Sequence, residues 1–409
     1  MPRAALSRAS QPRTGPEASS RDLLALADLP VDEARALLRR AAQFARQSAG
    51  MSAGAAPDAA AGAEPPSWPV GSAPLVATLF FEDSTRTRTS FAIAAQRLGC
   101  AVADLSTGAS SVNKGETILD TARTVRAMGA RALVVRTRQS GAPAQIARAL
   151  QRDAATAPVA TTTPVAVINA GDGRHEHPTQ GLLDALTIAE HHQRLDTLDL
   201  RGLRVCIVGD IANSRVARSN LALLPRLGAK VVCVGPPLLA PASAAHCVMG
   251  TARERAAVEI ARDLDEHLPD ADVVMMLRIQ FERAGAGHEA DAKGAAGGPG
   301  APPVRGTAIA SVREYRRFFA LTRERLAMLK PTACVMHPGP MNRGIEIDAD
   351  AADALPAPNA PAATTGGGMG GGTTGPVSLV TRQVALGVAV RMAVIERAVG
   401  EAEAPGTGH

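Results

Sequence analysis

The chain has 409 residues and a formal net charge of +5. That length allows two domains with cores of their own, and no apolar run approaches the ~20 residues of a membrane span. The arginines are scattered and there is a single Trp and a single Tyr, so no aromatic platform for nucleic acid is present, and the small basic excess favours small anionic ligands.

Residues 1–20 carry arginines but no apolar segment of the kind a secretory signal needs, and they read as disordered. A first helix is expected over 21–47, with apolar spacing at Leu23, Leu24, Leu26, Leu37 and Leu38. Residues 48–73 are rich in Ala, Gly, Pro and Ser and read as a flexible linker. Strand-like runs then alternate with amphipathic segments: LVATLFF, ALVVRT (132–137), VAVINA (165–170), RVCIVGD (204–210), KVVCVG (230–235), ADVVMML (271–277) and ACVMHP (333–338). The alternation predicts an α/β architecture with parallel sheets. Thr179–His192 is expected to be a helix linking two α/β halves, and 377–399 a long apolar-faced helix. The tracts 284–303 and 355–375 read as insertions. The second ends in GGGMGGGTTG but lacks the Lys-Ser/Thr pair and leading strand of a nucleotide loop. Five cysteines, Cys100, Cys206, Cys233, Cys247 and Cys334, fall mostly in apolar runs without C-x-x-C spacing. They read as reduced core thiols of a cytoplasmic protein.

Chemistry concentrates where strands end. After the first strand comes Ser84-Thr85-Arg86-Thr87-Arg88, opening an amphipathic helix. A helix start offers free N–H groups and a favourable dipole to an anion, and hydroxyls and guanidinium groups add directed donors. A simple cap needs one hydroxyl, whereas three alternate with two arginines here, which points to a phosphate site. Lysine occurs at only four positions against forty arginines. Lys114, in the loop Asn113-Lys114-Gly115-Glu116-Thr117 before another helix, therefore reads as a place where a compact ammonium is wanted. After VAVINA, His175-Glu176-His177-Pro178-Thr179-Gln180 offers two histidines without a third metal ligand; His177 and Gln180 read better as a carbonyl donor and an amide acceptor. Arg215 and Arg278 stand at comparable strand ends, as a clamp for a dicarboxylate would. The turn His337-Pro338-Gly339-Pro340 is a candidate for a cis peptide.

Taken in order over roughly Leu23–Val399, these motifs resemble the aspartate/ornithine carbamoyltransferase family. The resemblance implies two parallel-sheet α/β domains linked by helices: 21–178 binding carbamoyl phosphate and completed by the helix 377–399, and 179–355 binding aspartate, with 356–376 a Gly-rich insertion. It implies carbamoyl transfer to L-aspartate, in pyrimidine synthesis, by a cytoplasmic enzyme without metal, cofactor, nucleic-acid or membrane partner. Ser84, Thr85, Arg86 and Thr87 would cradle the phosphate. Ser110 and Lys114 would join from the adjacent subunit of a homotrimer with shared active sites. Thr87, Arg136 and His177 would polarise the carbonyl; Gln180 and the carbonyls of Pro338 and Gly339 would hold the carbamoyl amide; Arg136, Arg215, Arg278 and Gln280 would bind aspartate carboxylates. The HPGP turn and the Lys114 loop favour aspartate over ornithine, whose enzymes carry HCLP and SMG motifs. A carbamoyltransferase for another amine such as ornithine, or a non-catalytic scaffold in a pyrimidine-pathway complex, are the alternatives, and a dihydroorotase or regulatory-chain partner is left open. Three departures from the family pattern stand out: Asp83 where proline is common, Gly339 where some relatives carry a side chain, and the 284–303 insertion in the loop expected to close over aspartate.

Overall fold

The computed structural model describes residues 21–52, 68, 71–106, 116–156, 165–247, 251–279, 311–354 and 375–400. Ten strands form two sheets among these residues. The first holds β1 (Leu75–Phe80), β2 (Ala101–Ser106), β3 (Ala130–Thr137) and β4 (Ala166–Asp172) in the order β2-β1-β3-β4. The second holds β5 (Arg204–Val208), β6 (Lys230–Val234), β7 (Val258–Ala261), β8 (Val273–Met276), β9 (Cys334–Met336) and β10 (Val377–Ser378) in the order β10-β9-β8-β5-β6-β7. Every pairing is parallel.

The helices are α1 (Val31–Ser52), α2 (Thr85–Arg97), α3 (Ile118–Ala127), α4 (Ala142–Thr156), α5 (Pro178–His191), α6 (Arg215–Leu223), α7 (Ala252–Ala256), α8 (Val312–Phe319), α9 (Arg323–Leu326), α10 (Ala349–Ala352) and α11 (Val380–Val399). Alternate strand residues point to opposite faces of the first sheet. Val76, Phe80, Val134 and Ile168 join a core with residues of α1, α2, α5 and α11, while Leu79, Leu133, Val135 and Val167 meet Val125 and Ile146 from α3 and α4. Both faces are covered, which is why the strands read as continuous apolar runs. The apolar stripe of α11 lies against α1, α2 and α5, so the end of the chain returns to the first sheet.

The expected strands are present, and three more accompany them. β2 and β7 are edge strands, with half-buried or exposed residues such as Asp104 and Glu259; a search for doubly buried apolar runs passes over them. β10 has only two residues, and the C-terminal helix starts at Val380, because the Val377 and Leu379 N–H groups donate to Ala333 and Val335 carbonyls at 3.2 and 2.8 Å. The first helix likewise starts later than expected, at Val31, just after Pro30. The segment before it runs beside β4 instead: Leu23 N–H donates to Val167 O and Leu23 O accepts from Asn169 N, both at 2.9 Å.

Strand order fixes where ligands can sit. From β1 the first sheet grows outward to β2, then the chain returns to the other side of β1 to lay down β3. The second sheet grows from β5 to β6 and β7, then returns to place β8 on the other flank of β5. Crevices at the carboxyl ends of strands open at such reversals. The chain leaving β1 enters Glu82–Arg88, β3 ends beside Arg136, β5 leads to Arg215, and β8 leads to Arg278. All four motifs therefore stand at a switch point.

Candidate active site

Ser84 is the N-cap of α2, yet its side chain makes no capping hydrogen bond. The hydroxyl is not spent on the helix, which is what separates an anion site from an ordinary cap. Thr85, Arg86 and Thr87 form the first turn; Thr87 is buried and Arg86 exposed. The Arg86 guanidinium lies over Gly339 so closely that a Cβ there would overlap it. Gly339, at φ +62°, sits between Pro338 and a cis-bonded Pro340. The departure to glycine thus leaves room for the arginine. Asp83 is exposed.

Two further arginines meet across the sheets. Arg215 opens α6 after the turn Gly209–Ser214, where Asp210 Oδ1 accepts from Asn213 N at 3.1 Å and Ser214 Oγ caps the helix by accepting from Ala217 N. The Arg215 guanidinium donates to both oxygens of Glu82, at 2.9 and 2.8 Å. Arg136, at the end of β3, donates to Glu82 Oε1 at 3.2 Å and to Ala170 O at 3.1 Å. Gly171, at φ +113°, admits both: a Cβ would lie 2.9 Å from Arg136 Nη1 and 3.0 Å from Arg215 Nε. Sequence reasoning assigned Glu82 no role. Its signal was an acid lodged between an apolar strand and a cationic loop.

His177 caps α5. Its N–H donates to Ser219 Oγ on α6, and Thr179 Oγ1 lies 3.5 Å from its Nδ1. Burial, then the charges of Arg136, Arg215 and Arg391, holds its pKa well below the usual histidine value. The imidazole is therefore neutral near pH 7 and can donate an N–H to a carbonyl oxygen without bringing a charge. His175, the other histidine of the loop, is occupied with Asp172, whose carboxylate is 3.0 Å from its Nδ1 and raises its pKa.

Gln180 gives its Nε2–H to Asp184 Oδ1 at 2.9 Å, which leaves the carbonyl end of the amide as an acceptor. Asp184 is fully buried and also receives Gln383 Nε2 at 2.8 Å and Asn220 Nδ2 at 2.8 Å. Gln383 in turn accepts the His337 N–H at 2.9 Å, and His337 Nδ1 accepts from Gly339 N at 2.8 Å. One chain of bonds thus runs from α5 through α11 to the HPGP turn. Burial lowers the His337 pKa, and the charges of Arg86 and Arg278 act in the same direction against the opposing Glu346. The charges of both Arg86 and Arg278 are therefore felt at this turn. Asp184, Gln383 and Arg391 were missed by sequence reading; their signal was polar residues on the buried faces of apolar helices. Ser110, Lys114 and Gln280 lie outside the described residues.

The arrangement can seat a phosphate at α2, orient a carbonyl against Arg136 and His177, and receive carboxylates between Arg215 and Arg278. Comparisons with known proteins agree with this chemistry. A family model described as aspartate/ornithine carbamoyltransferase, carbamoyl-P binding domain, matches residues 21–190, and its counterpart, the Asp/Orn binding domain, matches 201–357. The chain is 47% identical over 322 residues to the aspartate carbamoyltransferase catalytic subunit of Gluconobacter oxydans, spanning 79% of this chain and 82% of that one. It is 43% identical over 381 residues to that of Rhodospirillum rubrum, spanning 93% and 94%. Among solved structures it is similar to the aspartate transcarbamoylase of Trypanosoma cruzi in complex with N-(phosphonacetyl)-L-aspartic acid, with a TM-score of 0.64, 25% identity, and coverage of 92% of this chain and 95% of that one. With both domain models matched and relatives of 47% and 43% identity covered over 82% and 94% of their length, the chain belongs to the aspartate/ornithine carbamoyltransferase family.

Proposed function

We propose that this chain transfers the carbamoyl group of carbamoyl phosphate to the amine of L-aspartate, giving N-carbamoyl-L-aspartate and phosphate for pyrimidine synthesis. The observation that carries this reading is the meeting of Arg136, from the first sheet, and Arg215, from the helix that follows β5, on one carboxylate, Glu82, beside a helix start with an unspent serine hydroxyl. Two anionic substrates can be held there side by side, and such positioning supplies much of the rate of a bimolecular transfer.

Ser84, Thr85, Arg86 and Thr87 hold the phosphate. Thr87, Arg136 and neutral His177 donate to the carbonyl oxygen. Gln180 and the carbonyls of Pro338 and Gly339 accept from the carbamoyl NH2. Arg136, Arg215, Arg278 and Gln280 take the carboxylates of aspartate. The aspartate amine attacks the carbonyl carbon, and the oxyanion that develops meets donors already in place. The C–O bond to phosphate then breaks, and the departing phosphate takes the proton from the amine. No covalent bond to the enzyme forms.

In the same reading, residues 21–178 with the C-terminal helix bind carbamoyl phosphate and 179–355 bind aspartate. The active unit is a homotrimer in which Ser110 and Lys114 reach the neighbouring site. The enzyme works in the cytoplasm, a reading supported by four free, buried thiols. Calorimetry with N-(phosphonacetyl)-L-aspartate tests the site: one molecule should bind per chain and compete with carbamoyl phosphate. Binding left intact by Arg86→Ala and Arg215→Ala together would remove both arginines from it.

A further inference from the structure

We infer that His191, His192 and Cys334 form a binding site for one divalent transition-metal cation of the zinc or cobalt type, clipping the end of α5 to the start of β9. The three side chains each offer one donor atom, and the three donors lie within 4.8 Å of one another. The two rings stand nearly perpendicular, at 83° with centroids 4.8 Å apart.

The hydrogen bonds around the rings prepare them for a cation. His191 Nε2 lies 3.0 Å from the Thr332 carbonyl. A carbonyl only accepts, so Nε2 carries the proton and Nδ1 keeps its lone pair. A carbonyl on the far nitrogen is the usual support of a ligating histidine. His192 Nε2 is buried and has no hydrogen-bond partner, a state a coordinated cation would satisfy. Cys334 is fully buried, and it ligates as the thiolate, so cation binding would release the thiol proton to solvent. The charge of Asp272 acts on both His192 and Cys334 and offsets part of the charge a cation brings.

Donor type decides which cation fits. Two imidazoles and a thiolate suit zinc and its neighbours, whereas magnesium and calcium take oxygen ligands. Metal–ligand lengths of roughly 2.0–2.3 Å set donors roughly 3.5 Å apart in a tetrahedral site. The farthest pair must therefore close by about 1 Å, a movement open to His191 at the partly exposed end of its helix. Water would fill the fourth position. The placement has consequence: α5 begins beside His177 and carries Gln180, and β9 runs directly into His337–Gly339. The cation would tie the far ends of two elements that carry the site, while taking no part in the transfer itself.

The test uses the full, tag-free chain, stripped with a chelator and titrated with Co2+. One Co2+ should bind per chain with a near-ultraviolet cysteinate-to-cobalt charge-transfer band, and Zn2+ should displace it. Cys334→Ser should lose the band. His191→Ala, at a position where folding is not at stake, should weaken binding. Absence of saturable binding, a band that survives Cys334→Ser, or unchanged affinity in His191→Ala would each overturn the assignment.

Discussion

A Glu82→Gln substitution removes one charge from a carboxylate that joins guanidinium groups of two sheets. Glu82, Arg136 and Arg215 have side chains only 11%, 9% and 8% exposed. Removing one partner of such a pair costs ~3–5 kcal/mol. Glutamine keeps one acceptor oxygen, which in the Oε1 position retains the bonds from Arg215 Nη2 and Arg136 Nη2, so the loss should be nearer the one charge-assisted bond that lacks a replacement, ~1.5–3 kcal/mol. The kinetic effect is larger in consequence. With an amide N–H2 now facing one guanidinium, Arg215 is no longer held toward Arg136, and misplacement of a positioning group by ~1 Å costs ~10²-fold. The expected result is a fall of that order in kcat/KM for aspartate, measured at saturating carbamoyl phosphate. Carbamoyl phosphate affinity, measured by calorimetry, should change far less, because Ser84–Thr87 are placed by the first turn of α2 and Arg136 keeps its bond to the Ala170 carbonyl. A folded Glu82→Gln enzyme with wild-type kcat/KM for aspartate would refute the view that Glu82 sets the two arginines.

Arg86→Ala should lower turnover by ~10²–10³-fold, the scale of one lost preorganised donor, while leaving thermal unfolding unchanged. Lys114→Ala should be similarly inactive, and mixed trimers of the two variants should regain activity; exchanged but inactive mixtures would count against a shared site. A third expectation concerns Asp184, whose pKa burial raises to about 6 against three amide donors. A raised folded-state pKa means that its contribution to stability is present in acid and fades as pH rises from the ordinary carboxylate value toward about 6. Wild type should therefore lose stability relative to Asp184→Asn across that window. Activity should run the other way: protonation places an O–H among the donors and displaces Gln180, so kcat/KM for carbamoyl phosphate should drop below about pH 6 in wild type. An identical acid limb in Asp184→Asn would show that another group controls it.

Local chemistry made much of this legible. Strands buried on both faces announced themselves as apolar runs, and the residues that follow them were the candidates for ligand chemistry because crevices open at strand ends. Ser84–Thr87, His177 and Arg215 were singled out for that reason, whereas Arg136 came only with the family resemblance. What escaped was tertiary. The edge strands Ala101–Ser106 and Val258–Ala261 lack an apolar pattern because one side of each meets solvent. Residues 21–30 carry helix-compatible leucines, but Leu23 is claimed by the backbone of β4. Glu82, Asp184 and Gln383 acquire meaning only through partners separated by many residues in the chain, as Gln383 does through Asp184 and His337, and no local spacing encodes such a pairing.

The central claim is that this site carbamoylates aspartate. Initial rates with carbamoyl phosphate and either L-aspartate or L-ornithine, followed by formation of the carbamoylated amino acid, test it most directly. The arginines at 215 and 278 should favour the dicarboxylate and repel the ornithine ammonium, so aspartate should react far faster; equal rates, or a preference for ornithine, would contradict the account.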